Sequence, residues 1–144
     1  MFESCLKKQE RVKELFAECK NLDERYQKII ELGRSQPSLA AEFKVPENLV
    51  RGCQSQMYMH AYMRDGVVIF EAEADALISQ GLGALLVLVY SGETPETILK
   101  CPPTYIEELQ ITASLTPNRA NGLSSMHLRM KQDALKLLMQ DNKP

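Results

Sequence analysis

The hydrophobic periodicity predicts an α+β domain in two layers: helices, then a small antiparallel sheet of about three strands, then helices again. Three observations carry that reading. Apolar residues recur at helical spacing towards both ends of the chain. One block between them, Gln56 to Ala72, alternates apolar and polar around Asp65-Gly66. After it comes Leu77 to Val89, which has almost no polar face, the pattern of a central buried helix.

The elements follow in order. Phe2, Leu6, Val12, Leu15, Phe16 and Cys19 form a loose apolar stripe, which predicts a first helix over residues 3–19. Asn21-Leu22-Asp23-Glu24 has the form of a capping box, with Asn21 as N-cap. The second helix it opens buries Tyr26, Ile29, Ile30 and Leu32 and is expected to stop at Gly33. Residues 34–47, with Pro37 and Pro46, read as loop with a short helical turn near Leu39–Phe43. A short strand, Asn48 to Arg51, is expected next. Met57, Met59, Ala61 and Met63 then share one strand face and Tyr58, His60 and Tyr62 the other. The methionine row suits a core better than a docking surface. Asp65-Gly66 is a hairpin turn and Val67 to Ala72 the return strand.

Asp75 is most simply the N-cap of the buried helix, Ala76 to Tyr90, in which Gly81 and Gly83 would let another element pack closely. Thr94-Pro95 is an N-cap followed by proline at the first helical position, starting a short helix to Lys100. Pro102-Pro103 ends it, and Thr104 is expected to cap a helix over Tyr105–Leu109. Thr116 to Gly122 reads as a turn-rich loop, followed by a last helix, Leu123 to Met139, with Leu123, Met126, Met130, Ala134, Leu137 and Leu138 on one side.

Composition bounds the function. At 144 residues, with 25% charged and 44% hydrophobic side chains, the chain has the length of one domain, 1–144, able to bury a core without disulfides or metal. A net charge of −2 and the lack of a dense basic run argue against general nucleic-acid binding. The apolar run Leu82–Tyr90 is far short of a membrane span, and the charges after Met1 interrupt any signal-peptide core. A cytoplasmic protein with no membrane partner is expected. Cys5, Cys19, Cys53 and Cys101 contain no Cys-x-x-Cys pair, and in a reducing compartment they read as free thiols.

One stretch stands out chemically: Arg51-Gly52-Cys53-Gln54-Ser55-Gln56-Met57-Tyr58. Cys53 has no apolar residue on its immediate flanks. Gly52 permits an unusual backbone angle or a close approach, and Arg51 with nearby peptide N–H groups could stabilise a thiolate. From the residues alone, two readings stay open: a reactive thiol, or an inert buried one, since free cysteine is commonly buried.

Gly52-Cys53-Gln54-Ser55-Gln56 resembles the active-cysteine motif of the SufE family, sulfur acceptors for cysteine desulfurases. Further segments in the same order are similar to that family: Arg25-Tyr26 with Ile29 to Gly33, Asn48 and Val50, Ala74-Asp75-Ala76 with Gly81-Leu82, Tyr90-Ser91-Gly92, Thr94-Pro95, and Leu115 to Arg119 with Asn121-Gly122-Leu123 and Met126. They span about residues 10 to 139. The chain departs from the pattern at Met57-Tyr58, where the family often has Val-Trp, and it has no tryptophan.

The resemblance implies a SufE/IscU-type two-layer fold and makes Cys53 the acceptor of persulfide sulfur. Gly52, Gln54, Arg51, Asp75 and Arg119 would support its loop or face the partner, although Arg119 is more simply a loop charge or a carbonyl anchor. The implied partner is a cysteine desulfurase of SufS or CsdA type, which holds pyridoxal phosphate; this chain would bind no cofactor and would not be a stand-alone enzyme. The sulfur would pass towards iron–sulfur cluster assembly, for example the SufBCD complex, and a homodimer stays open. Cys53 is expected to be shielded at rest in a loop that moves on docking. Two rivals are weighed. An IscU-type scaffold needs several thiols or carboxylates converging on metal. A cysteine hydrolase needs a paired histidine, with only His60 and His127 available.

Overall fold

A computed structural model describes residues 1–141. Its sheet is one hairpin. Strands β1 (Met57–Arg64) and β2 (Val67–Ala74) pair antiparallel from Met57↔Ala74 to Arg64↔Val67, and Asp65 and Gly66 both take positive φ in the turn. That backbone matches the twist of the strands, which is why Asp-Gly is favoured there. The register puts Met57 and Met59 on the same face as Val68 and Phe70, and all four are buried, so the methionine row is core.

The sheet has two strands rather than about three. In place of the expected strand Asn48–Arg51, Pro46 opens a 3₁₀ turn, Pro46–Asn48. A single bridge, Leu49↔Tyr58, and one bond from Val50 N–H to the Met57 carbonyl (2.8 Å) follow. The chain then reverses at Gly52, leaving no length for a ladder.

Helix α3 (Leu77–Tyr90) lies behind the hairpin with Ile78, Leu82, Leu85, Leu86, Val89 and Tyr90 buried, as its lack of a polar face requires. Helix α2 (Leu22–Arg34) crosses it at very close range. A methyl group at Gly81 would stand 2.1 Å from the Ile29 carbonyl oxygen, and one at Gly33 would stand 2.6 Å from the Gly81 nitrogen. Gly33 is therefore a contact glycine and not a helix stop; α2 continues to Arg34. Its start is as expected, with Glu24 N–H donating to Asn21 Oδ1 at 2.9 Å.

Helix α1 (Glu3–Leu15) ends four residues before Cys19, because Phe16 turns into the core as the C-cap. Helix α4 (Pro95–Lys100) starts at Thr94 as expected, Thr97 N–H donating to Thr94 Oγ1 at 3.3 Å. Helix α5 (Thr104–Glu108) does not use Thr104 as its cap. The Thr104 hydroxyl donates instead to Oε1 of buried Gln9 (2.9 Å), which also accepts from Tyr105 N–H (3.3 Å).

The largest departure is at the end of the chain. Helix α6 runs over Pro117–Asp141, so the expected loop 116–122 is helical after Thr116. Arg119 and Gly122 consequently stand on the first two turns of a helix instead of a loop. None of the described helices is long and apolar enough to cross a membrane.

Candidate functional site

Cys53 lies in a tight loop between the 3₁₀ turn and β1, with its side chain against the start of α6. Gly52 takes φ +91°, and a methyl group there would stand 2.3 Å from Ser125 Oγ on α6, so both the backbone angle and the space demand glycine. The Cys53 thiol points to the Gly122 carbonyl at 3.7 Å. It is half-buried at the edge of the core.

Two side chains outside the loop anchor it. Gln56 N–H donates to Asp75 Oδ1 (3.0 Å), and Asp75 N–H donates back to the Gln56 carbonyl (3.1 Å). Asp75 is thus a clamp on the Cys53 loop and not the N-cap of α3; the cap position is Ala76, which has no side-chain bond. The sequence position was right for a cap, but extension of β2 to Ala74 moves the helix start one residue on and frees the carboxylate to face Gln56. The second anchor is Ser79 on α3. Ser55 Oγ donates to Ser79 Oγ at 2.6 Å, and Arg119 Nη1 donates to the same oxygen at 2.9 Å.

Burial pushes the Cys53 thiol upward, and the Arg119 guanidinium pulls it part of the way back; the net shift is upward. The offsetting cation is Arg119 and not the adjacent Arg51, whose side chain is exposed to water. At neutral pH the resting thiol is therefore mostly protonated. Gln54 is exposed beside it, and a cleft lined by Val50, Arg51, Ser125, Leu128, Arg129 and Lys136 flanks the loop.

The SufE family model, described as an Fe-S metabolism associated domain, matches residues 10–134. The chain belongs to the SufE family. An uncharacterized SufE-like protein of Synechocystis sp. is 36% identical over 111 residues, covering 77% of this chain and 70% of that protein. The solution structure of a hypothetical protein from Thermus thermophilus superposes with a TM-score of 0.76 at 26% identity, covering 92% of this chain and 96% of that one. The hairpin backed by helices is thus the SufE fold, and a role in Fe–S metabolism comes with the family.

The other candidates of the sequence do not join the SufE-like site. Cys5 and Cys101 are buried together, both within reach of Gln9 Nε2 at 3.8 and 3.7 Å. Cys19 is half-buried in the turn after α1. His60 stacks on Phe43, with ring centroids 3.8 Å apart. His127 lies against Tyr90, and burial lowers its pKa to about 4. Among the described residues neither histidine hydrogen-bonds a thiol, so the dyad of a cysteine hydrolase is not assembled. Nor do three or more His, Cys, Asp or Glu side chains gather there as a metal site. Ser79 was missed by sequence reasoning. Its only signal was one hydroxyl on the buried face of an otherwise apolar helix, and that face is where a polar group must find a partner.

Proposed function

We propose that this SufE-family chain accepts sulfur on Cys53 from the persulfide of a cysteine desulfurase and passes it to iron–sulfur cluster assembly. The observation that carries the reading is the placement of Cys53: a half-buried thiol on a glycine-turned loop, held by the Asp75 and Ser79 anchors, with Arg119 as its cation.

The transfer is thiol exchange. The Cys53 thiolate attacks the outer sulfur of the donor persulfide. The donor S–S bond breaks, its electron pair leaves with the desulfurase cysteine as a thiolate, and a new S–S bond forms on Cys53. One persulfide is consumed and one is made, with no net oxidation. Loss of the Cys53 proton on docking is the step the partner must favour, because the resting thiol is held mostly neutral. The loop can supply reach, since a few hydrogen bonds hold it rather than a packed strand. Pyridoxal phosphate belongs to the desulfurase, of SufS or CsdA type, whose turnover rises when its persulfide is cleared. The downstream acceptor is a scaffold such as the SufBCD complex. The four free thiols agree with a reducing, cytoplasmic setting.

Intact mass after incubation with a desulfurase, pyridoxal phosphate and cysteine tests this. The wild-type chain should gain one sulfur, removable by a reducing thiol, and Cys53→Ser none. A gain unaffected by that substitution, or none with a desulfurase from the same organism, would refute the proposal.

A further inference from the structure

Ser79 is 3% exposed, one of the few buried polar residues among those described, and it sits on the most apolar helix. A lone hydroxyl there costs stability unless it is bonded, and alanine would suit the helix better. Its oxygen takes two donors from two different elements: Ser55 of the Cys53 loop at 2.6 Å and the Arg119 guanidinium of α6 at 2.9 Å. Arg119 has no acid partner among the ion pairs of the described residues, so Ser79 is the group that fixes its direction. The other charges around the loop are Arg51, exposed within it, Asp75, which is engaged with Gln56 N–H, and Glu47, Arg129, Asp133 and Lys136, which line the flanking cleft. Of these, Arg129 is paired with Asp133 at 3.0 Å and also bonds the Leu49 and Glu47 carbonyls.

We propose that Ser79 is a positioning residue for Cys53: its hydroxyl holds the Arg119 guanidinium beside the thiol and, through Ser55, ties that cation to the loop that carries the thiol. The importance of this arrangement for sulfur transfer rests on Cys53 being the acceptor. Its existence does not.

The test is the pH profile of Cys53 alkylation by iodoacetamide, read by intact mass in a Cys19→Ser background. Ser55→Ala, which removes the loop arm alone, is the reference for Ser79→Ala, which removes both arms. Ser79→Ala should have its midpoint about half a pH unit or more above Ser55→Ala, and react roughly threefold more slowly below the midpoint. Arg119→Gln should raise the midpoint at least as far, the double variant Ser79→Ala/Arg119→Gln no further, and Ser79→Thr should restore the wild-type profile. Equal midpoints for Ser79→Ala and Ser55→Ala, additive shifts in the double variant, or no shift in Arg119→Gln would each overturn the proposal. Sulfur loading of the same variants is scored separately. A chain that shows these shifts yet takes no sulfur upholds the role of Ser79 and refutes the acceptor reading.

Discussion

Cys53 and the Cys5–Cys101 pair are two answers to the same problem, a thiol removed from water. Cys5 and Cys101 are 0% and 2% exposed, and the side chain that reaches both thiols is Gln9, an amide that can donate but carries no charge. Burial, the Cys101 thiol beside it and the Glu93 carboxylate all push Cys5 upward, to about 12. Helices and the Pro102-Pro103 segment cover them. Cys53 is also pushed up by burial, but it has Arg119 to pull against that shift, a thinner cover and a loop anchored by a few hydrogen bonds. Burial alone does not decide whether a thiol can react; a nearby cation favours the thiolate.

The largest test of that contrast is alkylation of the native protein, mapped by peptide mass. Cys53 should label at least about 100-fold faster than Cys5 or Cys101, which react only when the fold opens. Comparable rates at the two sites would erase the distinction.

Stability should run the other way. Cys5→Ser puts a hydroxyl where Gln9 already serves other partners and should cost about 1–3 kcal/mol in urea unfolding, against less than about 1 kcal/mol for Cys53→Ser. A greater loss at Cys53 would mean that its loop, and not the pair, is the structural thiol site.

The pair also predicts a pH dependence. Folding raises the Cys5 pKa, so the native state keeps a proton that the unfolded chain gives up. Its contribution is fully present below the ordinary thiol range and is lost as pH rises towards about 12. Thermal stability of Cys5→Ala should therefore fall less steeply above pH 9 than that of wild type. Tyr90 and Tyr105, also raised by burial, keep part of the alkaline loss in the variant.

The smallest effect concerns the loop clamp. Asp75→Ala removes one hydrogen bond to Gln56 N–H and should speed Cys53 alkylation about two- to fivefold, the Boltzmann factor of roughly 0.5–1 kcal/mol. No change would show that the backbone bond from Asp75 N–H to the Gln56 carbonyl holds the loop unaided.

How far sequence reading reaches is clearest at two Thr-Pro pairs. Thr94-Pro95 reads as a helix start and is one. Thr116-Pro117 carries the same signal, and Arg119 N–H does approach Thr116 Oγ1 at 3.4 Å, yet Asn118, Asn121 and Gly122 made the segment read as a loop. Those residues disfavour a helix by up to about 1 kcal/mol each. Contacts made in three dimensions outweigh that: Gly122 abuts Cys53, and Leu123 is buried. Gly33 erred in the same way, because a glycine that permits a helix crossing looks in sequence like one that ends a helix.

The α+β class, the hairpin register and the buried character of α3 were all decided by local chemistry: a period of two, a turn dipeptide and an apolar run; the motif that singles out Cys53 is just as local. Each depends on residues near one another in the chain, so spacing alone reveals it. Which cation serves the thiol, what Asp75 holds and why α3 carries a buried serine were decided only by tertiary structure. Arg119, Asp75 and Ser79 reach the Cys53 loop from three separate segments, and packing, not sequence distance, makes Arg119 rather than adjacent Arg51 the charge that Cys53 feels.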